Sequence, residues 1–92
     1  MTNIETFEKA IQTLQEEYDF MFKPMENGLT RYSGPTAEYA GLRITAQIKL
    51  LERAFASMVA GVDPEVYAGE LELATVIADA PTTEIITENN GV

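Results

Sequence analysis

Residues 31–43, RYSGPTAEYAGLR, gather two arginines, two tyrosines, Ser33 and Thr36 around the expected start of a helix. Backbone N–H groups at a helix N-terminus, hydroxyls and planar guanidinium forks are the parts from which anion sites are built. Arg31, Ser33, Thr36, Tyr39 and Arg43 are the candidate ligands, with Lys23 supplied by the preceding loop. Tyr32 and Tyr39 add faces on which a base could stack, so the ligand this pattern suits is an anionic, nucleotide-like small molecule. The stretch is neither a Walker A loop nor a dinucleotide fingerprint, and Ser-Gly-Pro-Thr also reads as an ordinary turn and cap. Ligand binding is therefore the second reading of this chain.

Most other chemistries lack their residues. The chain has no cysteine, which removes thiolate nucleophiles, disulfides and sulfur metal sites, and no histidine, the commonest general base and transition-metal ligand. Paired carboxylates occur at Glu16 with Asp19, at Glu70 with Glu72, and at Glu65, but on faces expected to be wet. Acid–base work needs two carboxyls in a cleft that drives their pKa values apart. No calcium-loop pattern is present. The expectation is a non-enzyme with no cofactor and no metal.

Ninety-two residues make one domain, 1–92, and 46% apolar content is too much for a disordered chain. A chain this short buries only about 60–65% of its unfolded surface, so a monomer would be modestly stable and oligomerisation would help it. The net charge of −9 is uneven: −4 over residues 1–19, +2 over 20–60 and −7 over 61–92. That balance argues against direct nucleic-acid or anionic-membrane binding, which needs clustered Lys and Arg. An acidic decoy for a basic partner would need both acidic ends on one continuous face, and the acids are dispersed. Apolar runs fall far short of the ~20 residues that span a bilayer. No basic-then-apolar leader is visible, so the expected location is cytoplasmic, or within a virion assembled there.

The elements that must position these residues are helical. Ile4, Phe7, Ile11, Leu14, Tyr18 and Met21 follow at spacings of 3, 4, 3, 4 and 3, a coiled-coil seam. Thr2 with Glu5 fits a capping box, and Pro24 disfavours helix at Lys23. The first helix is expected at about 3–22. Asn27-Gly28 and YSGPT mark turns, with a small hairpin of Lys23–Glu26 and LTRY between them. A second helix, about 36–60, carries Ala40, Ile44, Ile48, Leu51, Phe55, Met58 and Val62 on one stripe. Tyr39, Ala46, Leu50, Ala54 and Ser57 form a flank beside it, and a helix apolar over most of its circumference is buried on more than one side. Asp63-Pro64-Glu65 opens a third helix, about 64–79, with Val66, Leu73 and Ile77 on one face and Tyr67, Leu71, Ala74 and Ala78 on the next. Residues 81–92 read as a tail or an arm lying on a neighbour.

The expected fold is thus all-α: a small bundle of about three helices, the heptad helix plus an antiparallel helical hairpin, with a short extended loop and a C-terminal arm, and oligomeric. Phe20 supports association. It lies opposite the seam of the first helix, among Glu5, Lys9 and Glu16. It could fold back onto Met25 or Leu29, stand alone in solvent, or anchor an interface, where aromatics are enriched. With Phe22, Met25, Leu29 and Leu50 it makes up the expected interface, and Phe20→Asp is expected to lower the oligomeric state. The leading functional reading is a non-enzymatic, self-associating structural or assembly component, or an adaptor for another protein. A short, acidic chain without motifs suits a small phage-type accessory or virion protein.

Overall fold

The computed structural model describes residues 2–79; the arm expected at 81–92 lies outside the described residues. The described residues are all-helical, with helices α1 (Asn3–Phe22), α2 (Pro35–Val59) and α3 (Ala68–Asp79), the last preceded by a 3₁₀ turn, Pro64–Tyr67. No strand occurs among the described residues.

Local chemistry sets the ends of these helices. The Thr2 hydroxyl accepts the Glu5 amide at 3.2 Å while the Glu5 carboxylate accepts the Thr2 amide at 3.3 Å, a complete capping box. The Thr2 hydroxyl also donates to the Glu5 carboxylate at 2.9 Å, and this bond first and the Thr2 amide second hold the exposed Glu5 carboxyl below its usual value. Lys23, just before Pro24, is extended and its amide returns to the Asp19 carbonyl, so α1 ends at Phe22. At the other end of α2, the Gly61 amide bonds the Met58 carbonyl and the Val62 amide bonds the Ser57 carbonyl, the paired bonds of a Schellman stop. Gly61 has φ +82°, a conformation that L side chains rarely adopt. Asp63 then caps the 3₁₀ turn by accepting from the Glu65 amide at 3.2 Å.

The bundle is organised around α1, which packs extensively on both α2 and α3; contact between α2 and α3 is lighter. Phe7 marks the shared end: its ring meets Phe55 of α2 and Tyr67 of the 3₁₀ turn edge-on, each at 6.3 Å between centroids. At the opposite end of α1, Phe22 and Tyr18 lie against Gly41 of α2. So α2 runs antiparallel to α1, and α3, starting beside Phe7 and packing along α1, returns in the direction of α1.

Serving two neighbours gives α1 two inner faces. Phe7, Leu14 and Met21 bury the expected seam, while Thr6, Ala10, Thr13 and Glu17 bury the strip beside it. The seam is consequently only partly enclosed, and Ile4 and Tyr18 are exposed. In α3, Ala74 and Ala78 are buried together with Ile77, and Tyr67 of the 3₁₀ turn with them, whereas Val66 of that turn and Val76 of α3 are exposed. The small alanines let a short helix lie close to its neighbour. Thr6 is accommodated in the interior because its hydroxyl donates to the Thr2 carbonyl at 2.9 Å.

The hairpin expected between Lys23–Glu26 and LTRY takes another form. The Gly28 amide closes a turn on the Met25 carbonyl, the Met25 amide bonds the Leu29 carbonyl, and the Asn27 side chain accepts the Leu29 amide. From there the loop is pinned to α1 by the Tyr32 amide donating to the Met21 carbonyl at 3.3 Å. Docking on α1 takes the place of a strand ladder.

Candidate functional site

Two surface features gather the residues of interest. The first is an open hollow of about 460 Å³ at the C-terminal end of α1, lined by Glu16, Asp19, Phe20, Lys23, Pro24, Met25, Glu26 and Arg31. It exists because the pinned loop carries Arg31 back over α1. The Arg31 guanidinium lies 4.5 Å from the centroid of the Phe20 ring, and the Tyr32 ring lies 6.2 Å from it. An arginine over an aromatic face gains quadrupole attraction as well as covering apolar area. Phe20 is still 39% exposed, so one part of the ring is covered by its own chain and another part forms the wall of the hollow.

Lys23 and Arg31 are the only members of the expected anion site that line this hollow, and Glu16, Asp19 and Glu26 line it with them. Three carboxylates against two cations make the hollow a mixed-charge surface rather than an anion trap. Its apolar wall with a charged rim resembles the make-up of a protein contact. Ser33 is exposed in the loop, and Thr36, Tyr39 and Arg43 are exposed along α2, sharing one face by their spacing. Gly34 occupies the N-cap of α2 with no side-chain cap bond. The structure therefore divides the six candidate ligands among three places: Lys23 and Arg31 at the hollow, Ser33 on the loop, and Thr36, Tyr39 and Arg43 on α2.

The second feature is the outward face of α2. Tyr39 is 65%, Leu42 70% and Leu50 41% exposed, and Ala46 between them is exposed too. Exposed Arg43, Lys49 and Arg53 flank this apolar run. Among the described residues the opposite side of α2 carries the core, through Ala37, Ile44, Leu51 and Ala54. The helix is thus covered on one side by its own chain, and the flank identified from sequence stays open apart from Ala54 and half-buried Ser57.

The expected interface residues also fall in different places. Phe20 and Met25 belong to the hollow, Leu29 is exposed on the loop, and Leu50 is on α2. Phe22 is half-buried inside the chain, its ring tilted at 47° to that of Tyr18 with 4.8 Å between centroids, and lies against Gly41. Two residues escaped the sequence reading. Leu42 follows Tyr39 by three positions and precedes Ala46 by four, a helical spacing that places it on the flank. Glu17 is fully buried, which is rare for a carboxylate, and only its spacing from Ala10 and Thr13 hinted at an inner position.

Among the described residues, no cluster of three or more acidic side chains is placed to hold a metal ion, and no helix is long and apolar enough to cross a membrane. No protein-family model, curated protein or solved structure matches the chain.

Proposed function

We propose that this chain is a non-enzymatic, self-associating helical protein that serves as a structural or assembly component, or as an adaptor that binds another protein. The observation that carries the reading is the outward face of α2, where Tyr39, Leu42 and Leu50 stand in solvent on a helix whose other side is packed. Contiguous exposed apolar side chains rimmed by charges mark interaction surfaces. A domain of this size also gains from burying such a face, because its own core is small. The hollow around Phe20, lined in part by Met25 and with exposed Leu29 on the same loop, offers a separate surface on which a different protein would dock.

Light scattering during gel filtration, across protein concentrations, tests this reading. Mass above 10.2 kDa that rises with concentration supports it, and a constant 10.2 kDa argues against it. Binding of an anionic, nucleotide-like molecule is the alternative, favoured by Arg31 and Lys23 meeting at one hollow beside Tyr32. The shared Glu16, Asp19 and Glu26 weigh against it. Native mass spectrometry separates the two, since a retained ligand adds a few hundred daltons per site.

A further inference from the structure

Five exposed residues on α2 form a pattern that is symmetric about its centre. Leu42 and Leu50 lie four positions before and after Ala46, and Tyr39 and Arg53 lie seven before and after it. At 100° per residue all five fall within an arc of about 80°. The smallest side chain is at the centre, a leucine stands at each intermediate position, and the ends carry an aromatic ring and a guanidinium. All five are exposed.

A face of this kind is complementary to itself when turned end over end. We propose that a second copy of this chain covers it, with the two α2 helices antiparallel and the two-fold axis passing beside Ala46. This rests on the self-association reading above and specifies which surface carries it. Leu42 of one copy then packs on Leu50 of the other, twice over by symmetry, and Ala46 meets Ala46 where the helices come closest. Tyr39 of each copy receives Arg53 of the other on its ring face, a cation–aromatic pair. Two-fold contacts use the same patch on both subunits, so a surface must satisfy this pairing rule to close a dimer.

The charges agree with this arrangement. Glu38 lies on the same edge of the face as Arg53 and eight positions before Ala46, which sets it against Arg53 of the second copy. Among the described residues no side-chain hydrogen bond or ion pair engages the Glu38 carboxylate or the Arg53 guanidinium, although the Glu38 amide bonds the Gly34 carbonyl within the helix. Along α2 they are about 22 Å apart, so no side-chain motion joins them inside one molecule. Arg43 and Lys49 fall on opposite edges and remain solvated, so like charges are not forced together. A contact about 21 Å long on one helix face is smaller than the roughly 800 Å² per partner of a standard interface. The dimer is therefore expected to be reversible, dissociating in the micromolar range.

Sedimentation equilibrium of the full chain tests the arrangement. The wild type is expected to fit a monomer–dimer equilibrium, and Leu42→Glu to raise its dissociation constant at least about tenfold. Glu38→Arg and Arg53→Glu are each expected to weaken it several-fold, and the double exchange to recover much of the loss. Such recovery arises only between molecules, because the two positions cannot meet within one. All four variants change exposed positions, and the exchange pair decides the matter should Leu42→Glu fail to fold. A dimer indifferent to Leu42→Glu and to the exchange would overturn the α2 face and leave self-association standing on another surface. An open series of larger oligomers would also overturn it, since a two-fold contact closes at two. A wild type that is monomeric throughout would remove both the interface and the reading on which it rests.

Discussion

Phe20 is the residue whose position on α1 is hardest to explain from a single helix. The structure answers by bringing another segment to it: Arg31 covers the ring and Tyr32 stands beside it. Phe20→Ala is expected to lower stability by ~1 kcal/mol, the scale of an exposed cation–aromatic pair plus partial apolar burial. Urea denaturation checks the size, and faster amide exchange over residues 23–32 would show that the loop has loosened. At the other end of α1, Glu5 offers a pH test. Its carboxyl is held below the usual 4.5 by bonds to the Thr2 side chain and backbone. A group with a depressed folded pKa stabilises fully above its unfolded value, and that contribution disappears as pH falls through the folded one. Fraying of the first turn of α1 is therefore expected to increase below about pH 4.5 and to lose this pH dependence in Glu5→Gln. Side-chain carbon shifts of Glu5, followed from pH 7 to 2, would read a midpoint below 4.5; a midpoint at or above it would contradict the cap.

Among the helices, α2 and α3 each hold a glycine that separates packing from propensity. Gly69 in α3 has open space around its missing Cβ and ordinary helical geometry. Gly69→Ala is expected to stabilise the protein by ~0.5–1 kcal/mol. Gly41 differs, because a Cβ there would stand 2.8 Å from the Phe22 ring. Overpacking of ~1–3 kcal/mol outweighs the ~1 kcal/mol of helix propensity, so Gly41→Ala should destabilise. In a Phe22→Ala background the same change should become stabilising, and a thermal-melt double-mutant cycle checks the reversal. The helix ends were legible in sequence because they are local: Thr2 with Glu5, Lys23 before Pro24 and Asp63 before Pro64 each act within one turn. Which stripe of α3 turns inward was not, because Val66–Leu73–Ile77 and Tyr67–Leu71–Ala74–Ala78 are about equally apolar. That choice depends on α1, which accepts the small alanines and leaves Val66 outside. The 23–32 loop escaped for a similar reason, since its Asn27-Gly28 turn is local but its docking through Tyr32 on Met21 is not.

For the whole molecule, the chain divides its chemistry unevenly. Three of the six basic residues, Arg43, Lys49 and Arg53, stand on the outward side of α2, in a chain of net charge −9. The residue types of the expected anion site were readable, but their convergence was not. Loop closure sends Arg31 to Phe20 while helix phase sends Arg43 to α2. The open flank of α2 was legible as an excess of apolar residues over what a 92-residue bundle can cover. Self-association through that flank is the central claim. It is tested most directly by sedimentation equilibrium of the wild-type chain from micromolar to millimolar concentration. The account predicts a monomer of 10.2 kDa giving way to a species of twice that mass as concentration rises. A single 10.2 kDa species across the whole range would contradict it.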